Sequence, residues 1–326
     1  MFKVRRLQAS AIAITLASAS ILSSRVVADQ FAEAPVYSQT LANLNVALAK
    51  AGIANMRVDR AEMSVTRNGV NAATTLIAND RTHQLDSQFV ASDPRRGGFA
   101  DLSYLVDQSD GRALSVVNNA VVVLPNSATE PVIDRAIHRW GDTTQCPSPA
   151  LTKLADDGTD PDVVDDIIFG NPVLGQPRAD ITQAGWLPKE FFDALTPNGS
   201  QFILGVTFTF IFTNDDGSAT DIDHDGNADV AFREIYYNRS FPWTPNPALS
   251  ASNIDIDSVV THESGHALGL GHFGKVFITK KDAADGLAIS DVKYAPYALM
   301  NAVYVTGRNE IAGSDNSQFC SIWAGF

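Results

Sequence analysis

The chain has 326 residues, of which 45% are hydrophobic and 19% are charged. This composition predicts a globular protein with a sizeable core and excludes a disordered or collagen-like chain. Acidic residues outnumber basic ones by 37 to 24, which gives a formal net charge of −13. Duplex binding needs a basic face that displaces phosphate counterions, so no nucleic-acid partner is expected. An anionic membrane surface is disfavoured for the same reason.

Residues 1–28 have the three-part layout of a secretory signal peptide: a basic start, an uncharged stretch over 7–22, and small residues before Asp29. The uncharged stretch is shorter than the ~20 apolar residues that a membrane span needs. No later segment is long and apolar enough to span a bilayer. We therefore predict a secreted or periplasmic protein without a membrane span once the signal is removed.

The next part of the chain predicts a small leading unit. Apolar spacing predicts a helix, and β-rich runs on either side of Asn68-Gly69 predict a hairpin. These elements are expected at 38–51, 55–67 and 73–79. The turn-forming stretch at 93–98 ends the pattern, so residues 29–97 are predicted to form an N-terminal α/β subdomain or a propeptide. A main domain is predicted over 98–326.

Strands and helices alternate along the main domain. Strands are predicted at 102–106, near 180, at 201–212 and at 230–237, and helices at 129–140, 254–271 and 314–324. The run over 201–212 is rich in β-branched and aromatic residues, which is typical of a strand buried on both faces.

The chain contains two cysteines, Cys146 and Cys320. In an exported protein, an even pair is more often a disulfide than a catalytic thiol. The alternative is two buried free thiols. Their separation in sequence excludes a structural zinc ribbon.

Residues 262–272 read HESGHALGLGH. His262 and His266 are four residues apart on a predicted helix, so both imidazoles project from one face and reach a common zinc ion. Glu263 lies between them and is placed to accept a proton from water without binding the metal. Gly269 ends the helix, and the chain then offers His272 as a third ligand. Three protein ligands leave a fourth position open, as a catalytic zinc site requires.

This stretch resembles the extended zinc signature of the metzincin metalloproteases, H-E-x-x-H-x-x-G-x-x-H, and the ending ALGLGH is similar to the matrixin branch. Met300, in the stretch YALMN after the third histidine, matches the methionine turn of that family. The stretches PRADITQAGWLPKEFFDAL and FREIYYN are similar to segments of secreted bacterial matrixin-like proteases. The resemblance covers residues 98–326.

The resemblance implies a zinc-dependent endopeptidase that acts on proteins or peptides. The implied fold is α+β, with a twisted mixed sheet, a zinc helix and a closing C-terminal helix. Met300 is then expected beneath the zinc without binding it. An extended substrate is expected to pair with an edge strand beside the zinc helix, for which 201–212 is the candidate.

Matrixin precursors are latent because a cysteine in a P-R-C-G motif occupies the zinc. The nearest stretch in this chain is PRRG at 94–97, where Arg96 stands in place of the thiol. A cysteine switch is therefore not expected. A carboxylate of Asp93 or Asp101 is one alternative cap, because carboxylate oxygen is a competent zinc ligand. We expect instead that the segment 29–97 packs on the main domain away from the cleft.

The stretch DIDHDGNAD at 221–229 resembles a calcium loop. Alternate carboxylates with a glycine at the turn can surround a calcium ion. The predicted calcium ligands are Asp221, Asp223, Asp225 and Asp229. The alternative is a solvated acidic turn. The second acidic run, over 156–166, is interpreted as a solvated loop.

Two other functions stay open at this point. A catalytically silent, metal-stabilised extracellular binding or adhesion protein could retain the scaffold, although it would have no need of Glu263 as a base. A metal-dependent hydrolase acting on non-peptide substrates is the other. The sequence does not define the oligomeric state.

Overall fold

The computed structural model describes most of the chain. The described residues are 35–66, 85–143, 145–171, 177–246, 248, 253–278, 292–295 and 297–324. The predicted signal peptide, the Asn68-Gly69 turn and the strand expected at 73–79 lie outside them.

Within these residues there are six α-helices and thirteen strands. The helices are α1 (Pro35–Lys50), α2 (Asn126–Thr143), α3 (Val164–Phe169), α4 (Lys189–Leu195), α5 (Ile256–Ala267) and α6 (Gly313–Trp323). The strands are β1 (Met56–Val65), β2 (Ser87–Gln88), β3 (Leu102–Val106), β4 (Leu114–Val117), β5 (Ala120–Val123), β6 (Leu151–Lys153), β7 (Ile181–Leu187), β8 (Ile203–Phe212), β9 (Ala228–Asn238), β10 (Trp243–Thr244), β11 (Ile254–Asp255), β12 (Lys275–Ile278) and β13 (Val292–Ala295).

A seven-stranded mixed sheet organises the fold. Its order is β1-β8-β9-β7-β3-β6, with β2 paired to β9. Strands β6, β3, β7 and β9 are parallel neighbours, whereas β8 is antiparallel to both β9 and β1. The described chain is therefore a mixed α+β structure, as the sequence predicted.

Helices cover both faces of this sheet. One core lies between the sheet and α2, α5 and α6, and includes Ile137 of α2 and Val260 of α5. The other core lies between the opposite face and α1, α3 and α4, and includes Leu44 of α1 and Phe191 of α4. Every residue of β8 is buried, so the expectation of a strand buried on both faces is confirmed.

The segment 29–97 does not form a sheet of its own within the described residues. Its strand β1 pairs along its length with β8, from Met56 opposite Phe212 to Val65 opposite Ile203. The expected edge strand of the main domain therefore has a partner on both sides. Leu44 and Leu48 of α1 pack into the core beneath this part of the sheet, which provides the partner surface that the apolar stripe of α1 requires.

The helix boundaries differ from the sequence patterns mainly at N-termini. Helix α2 begins at Asn126, three residues before the predicted start at 129. Helix α1 begins at Pro35, three residues before the predicted start at 38.

Cys146 and Cys320 form a disulfide, as predicted, with their Cα atoms 5.5 Å apart. The bond joins the loop after α2 to helix α6, across 174 residues of sequence.

The double variant Cys146→Ser/Cys320→Ser is expected to lose about 2–5 kcal/mol of unfolding free energy, because the cross-link restricts the unfolded chain. Urea unfolding of both proteins measures the difference. A reductant should lower the stability of the wild type toward that of the variant and leave the variant unchanged. Equal midpoints in oxidising buffer would contradict a stabilising bond.

None of the helices formed by the described residues has the length and apolar character that a bilayer crossing requires.

Candidate metal centre

Helix α5 carries the first two predicted metal ligands, and all twelve of its residues are buried. Asp255 begins the helix because its side chain accepts hydrogen bonds from Asp257 N (3.3 Å) and Ser258 Oγ (2.6 Å). Gly269, with φ of +91°, allows the chain to reverse after the helix. This reversal brings His272 back beside the helix, as the spacing of the motif predicted.

The three histidines converge on one point. His266 Nε2 lies 3.1 Å from His262 Nε2 and 3.2 Å from His272 Nε2. Tetrahedral ligands at 2.0–2.1 Å from a zinc ion are separated by about 3.3–3.4 Å. The donor set of three imidazole nitrogens also suits zinc. The residues therefore fit a zinc ion held by three protein ligands, with a fourth position left open.

Backbone carbonyls hold two of the imidazoles in the tautomer that metal binding needs. His262 Nδ1 donates to Leu299 O at 2.9 Å, and His266 Nδ1 donates to Leu270 O at 2.7 Å. Protonated Nδ1 atoms leave the Nε2 lone pairs available to a metal. Glu62 Oε2 lies 3.4 Å from His272 Nδ1, on the outer side of the third imidazole.

Burial keeps two of these ligands neutral in the metal-free protein. It lowers the pKa of His262 to about 4 and lowers the pKa of His266 well below its usual value. The neighbouring imidazoles lower the pKa of His266 further. A metal binding at neutral pH therefore displaces no proton from these two Nε2 atoms.

Glu263 is fully buried beside the histidines and is held by two donors. Thr207 Oγ1 of β8 donates to its Oε2 at 2.7 Å, and Ser64 N of β1 donates to its Oε1 at 3.0 Å. Burial raises the pKa of Glu263 to about 7, and these hydrogen bonds oppose the rise. A carboxyl group with a pKa near 7 is suited to accept and return a proton at neutral pH.

Gly205 makes room for this carboxyl group. A Cβ atom at position 205 would lie 2.9 Å from both Cγ and Oε1 of Glu263. The absence of a side chain there lets the catalytic candidate rest directly against β8.

On the sequence-based hypothesis of a zinc endopeptidase, Gly205→Ala is expected to displace the Glu263 carboxylate and to lower kcat roughly 10- to 100-fold while bound metal is retained, because small displacements of a reacting group are costly. Peptidase kinetics and metal content of the purified variant measure both effects. Gly313→Ala is the matched control, since a Cβ atom there meets nothing within 4 Å. Unchanged kcat in Gly205→Ala would show that the contact does not position Glu263.

Met300 packs against α5 and is fully buried. A Cβ atom on Gly265 would lie 2.5 Å from Met300 Sδ and 2.7 Å from Trp140 Cζ2, so this glycine permits the close packing. Asp315 of α6 accepts hydrogen bonds from Leu299 N (2.8 Å) and Met300 N, which fixes the turn. The same turn presents the Leu299 carbonyl that orients His262.

Arg233 of β9 joins the C-terminal end of α5 to the sheet. Its fully buried guanidinium donates to Ala267 O (2.9 Å), to Thr209 Oγ1 (3.0 Å) and to Ser87 O (3.0 Å). Burial lowers its pKa to about 9. A cation at the C-terminus of a helix stabilises the last carbonyls, so Arg233 fixes the position of the histidines above the sheet.

Strand β1 occupies the cleft beside this centre. Ser64 lies opposite Gly205 in the β1–β8 ladder. On the other side, Val65 N donates to Ala302 O (3.0 Å), and Tyr304 N donates to Val65 O (2.8 Å). The expectation that the N-terminal segment packs away from the cleft is therefore wrong. The reason is that β8 has an open antiparallel edge there, and β1 fills it.

The two carboxylates named as alternative zinc caps are elsewhere. Asp93 forms an ion pair with Arg95 at 2.7 Å, and Asp101 accepts a hydrogen bond from Ala150 N. Arg96, at the position of the expected thiol, pairs with Asp180 at 2.6 Å. Besides Glu263, the carboxylate of Glu62 approaches the histidines, at 3.4 Å from His272 Nδ1, and no sequence motif indicated it.

The acidic stretch 221–229 is only partly assembled. Asp221, Asp223 and Asp225 bring carboxylate oxygens within 4.8 Å of one another. Asp229 is buried, pairs with Arg95 at 2.7 Å and accepts from Ile222 N. Three of the four predicted calcium ligands therefore come together, while the fourth is used in an ion pair.

No sequence motif indicated the residues that surround Glu263. Gly205 and Thr207 reach it because β8 packs against α5, and Ser64 reaches it because β1 pairs with β8. The alternation of small and polar residues with aromatic ones in 203–212 is the one signal that could have marked the face toward the metal.

No protein-family model matches the chain, and no curated protein shows significant similarity to it.

Proposed function

We propose that this protein is an exported zinc endopeptidase of the metzincin type, similar to matrixins. His262, His266 and His272 would hold the zinc ion, and Glu263 is the general base. The convergence of three Nε2 atoms beside a buried glutamate carries this proposal. A site that only stabilised the fold would have no use for an ionisable group in that place.

When bound, zinc supplies a Lewis acid that polarises a carbonyl group and lowers the pKa of water. Side chains of the protein transfer and orient the proton. Glu263 accepts a proton from the attacking water at a carboxylate oxygen and returns it to the leaving amine. Thr207 holds the other oxygen of Glu263, so the proton is received in a fixed direction.

The edge of β8 is the proposed binding site for an extended peptide. Its backbone groups pair with β1 in this structure, and residues 302–304 border the same groove. A substrate that replaced β1 would add a strand between these two borders, with its backbone hydrogen bonds supplying affinity. The form described here, with β1 in the groove, is therefore proposed to be latent.

An unbiased peptide-library digest tests the reaction class. The protein is freed of residues 29–66 after folding, stripped of metal, and assayed with and without one equivalent of zinc. Internal peptide-bond cleavage that returns with zinc is expected. Tight zinc binding without cleavage of any peptide would favour the binding or adhesion protein, and hydrolysis of non-peptide esters alone would favour the other hydrolase.

A further inference from the structure

A cavity of about 620 Å³, the β8-end cavity, lies at the C-terminal end of β8. Its walls come from β1, β3, β6, β8 and β9 and from the turn at 94–96. Cavities that bind ligands typically measure about 300–1,000 Å³ and have mostly apolar walls. The large apolar side chains that line this one are Met56, Phe99, Leu102, Leu154, Phe212 and Phe232. Its size and its walls therefore fit an apolar group.

The β8-end cavity is continuous with the groove that β1 occupies. Met56 and Phe212, which both line the cavity, form the first pair of the β1–β8 ladder. Near the other end of the ladder, Ser64 pairs with Gly205 and donates to Glu263. At the rise of an extended strand, the distance along β8 between these two pairs is about 24 Å. One extended polypeptide on β8 can therefore reach both Glu263 and the cavity.

Strand β1 leaves most of the β8-end cavity open. Met56 is the one residue of β1 that lines it, and its side chain is only partly buried against the neighbouring core. The volume of about 620 Å³ remains with Met56 in place. Successive side chains of a strand project to opposite faces, so Arg57, with its side chain 42% exposed, projects away from the cavity. A larger side chain at the position of Met56 therefore has room that methionine does not fill.

Aromatic rings form part of the walls. Phe212 lies opposite Met56 in the ladder, and Phe232 belongs to the adjacent strand β9. Both phenylalanines are buried, so the core fixes their rings in place. Phe99, by contrast, is 70% exposed. A large apolar side chain in the cavity would cover Phe99, and an aromatic one would also gain the ring contacts that stabilise aromatic pairs beyond the area they bury.

The two arginines of the turn at 94–96 are already paired with carboxylates. Arg95 forms an ion pair with Asp229 at 2.7 Å, and Arg96 forms one with Asp180 at 2.6 Å. The Arg95 guanidinium also lies 4.1 Å from the centroid of the Phe212 ring. An anionic ligand would have to compete with these carboxylates, whereas an aromatic ring needs no counter-charge. The charges at the cavity therefore favour a neutral apolar group over an anion.

We propose that the β8-end cavity is an exosite, a binding site remote from the reacting bond, for a large apolar side chain of the polypeptide that is cleaved. The proposal rests on the proposed function, because it places a substrate strand on β8 in the direction of β1. That direction keeps the backbone hydrogen bonds that Val65 makes with Ala302 and Tyr304. The exosite adds affinity for the substrate without touching the reacting atoms.

The register of β1 defines where the apolar residue lies in the substrate. It takes the position of Met56, and the residue beside Glu263 takes the position of Ser64. In β1 these positions are eight residues apart, because the ladder has an irregularity between Val58 and Arg60. In a regular strand on β8 they are about seven residues apart. Substrates with an aromatic or large aliphatic residue at this distance are therefore expected to bind most tightly.

The dissociation rate of β1 tests the exosite without any catalysis. A site for a sequence-specific protease is inserted within residues 67–84, and the folded chain is cut and freed of metal. The labelled N-terminal fragment is then exchanged against an excess of unlabelled fragment. Met56→Trp in the fragment is expected to slow dissociation roughly 3- to 10-fold, because the indole buries more apolar surface. Met56→Ser should speed it about 10-fold. Arg57→Trp is the matched control, since it adds the same ring on the opposite face of β1, and its rate should stay within about twofold of the wild type.

Variants of the main body assign this effect to the cavity. Phe99→Ser should remove most of the gain from Met56→Trp, and the exposed position of Phe99 allows the change without loss of the fold. Phe169→Ser is the control, because Phe169 is 41% exposed and does not line the cavity. Met56→Phe gives the same comparison if Met56→Trp does not fold. Equal dissociation of the wild-type and Met56→Trp fragments would overturn the exosite, and so would a gain that survives Phe99→Ser.

Peptide kinetics test the cavity during cleavage. A peptide that the released, zinc-loaded protein cleaves is extended at its N-terminus with glycine and serine. One tryptophan is then moved stepwise from about the fifth to about the ninth residue before the cleaved bond. We expect KM to fall about fivefold at one position, about six to eight residues before that bond, with kcat unchanged. The two neighbouring positions should lack the effect, because their side chains face away from the cavity. A KM that does not depend on the position of the tryptophan would contradict the role in substrate binding.

The two experiments separate failure of the exosite from failure of the proposed function. If no peptide is cleaved, the proposed function fails, while the dissociation rates still decide whether the cavity binds a side chain of a strand on β8. If peptides are cleaved but neither KM nor the dissociation rate responds to the apolar side chain, the exosite fails and the proposed function stands.

Discussion

Release of β1 from the folded protein is expected to raise peptidase activity about 100-fold. In the intact chain, β1 fills the groove between β8 and residues 302–304. Ser64 N also donates a hydrogen bond to Glu263 Oε1. A substrate peptide can pair with β8 only after β1 has dissociated from this edge. An opening that costs a few kcal/mol leaves about 1% of the molecules competent.

The experiment uses a cleavage site for a sequence-specific protease, inserted within residues 67–84. The chain is folded first, then cut, and the N-terminal fragment that carries β1 is separated from the main body. A synthetic peptide of residues 35–66 should restore inhibition when added back in excess. The same peptide with Ser64→Pro is the control, because proline removes the N–H that donates to Glu263.

Full activity of the uncut chain would contradict this prediction and would assign β1 a purely structural role. Equal inhibition by the two peptides would show that inhibition does not depend on the Ser64 contact.

Glu263→Gln is expected to lower kcat of the released protein by about 10²–10⁴-fold while the zinc content stays at one equivalent. Glutamine keeps a carbonyl oxygen for Ser64 N, and Thr207 Oγ1 can accept from the new amide, so the fold should persist. The loss would therefore report the proton transfer alone. Peptide cleavage rates and elemental analysis of the same preparation measure both quantities.

Glu190→Gln is the matched control, since Glu190 lies on α4 with its side chain 61% exposed. It should cleave peptides at the wild-type rate. Undiminished cleavage by Glu263→Gln with zinc bound would remove Glu263 from the proposed mechanism.

Local patterns predicted the main strands of the large sheet and the convergence of the three histidines. The high apolar content of residues 203–212 is typical of a strand that is buried on both faces. In a helix, the four-residue spacing of His262 and His266 places both side chains on one face. Each of these patterns depends only on residues within one strand or one helix, so it can be recognised without knowing which distant residues it contacts. The pairing of Cys146 with Cys320 was accessible for a different reason, because only two cysteines were present.

The contacts between distant elements were not predictable in the same way. The strand at 56–65 was found from its composition, but composition does not specify which edge a strand joins. Glu62 and Ser64 therefore gave no sign that they would meet His272 and Glu263. The aspartates after Asp160 looked solvated because charge usually indicates exposure, whereas folding carries Asp162 beneath the sheet beside Glu234.

The pairing of β1 with β8 also bears on how the chain reaches its native state. All ten residues of β8 are buried, and five of them, all aromatic or β-branched, belong to the core shared with α1, α3 and α4. A nascent chain that lacked β1 would expose this strand as a bare template for other copies. The N-terminal segment 29–97 would thus assist folding by covering the edge of β8. Protein synthesised without this segment would aggregate. Protein from which the segment is removed after folding would keep its fold, and its copies would associate through the β8 edge only at high concentration.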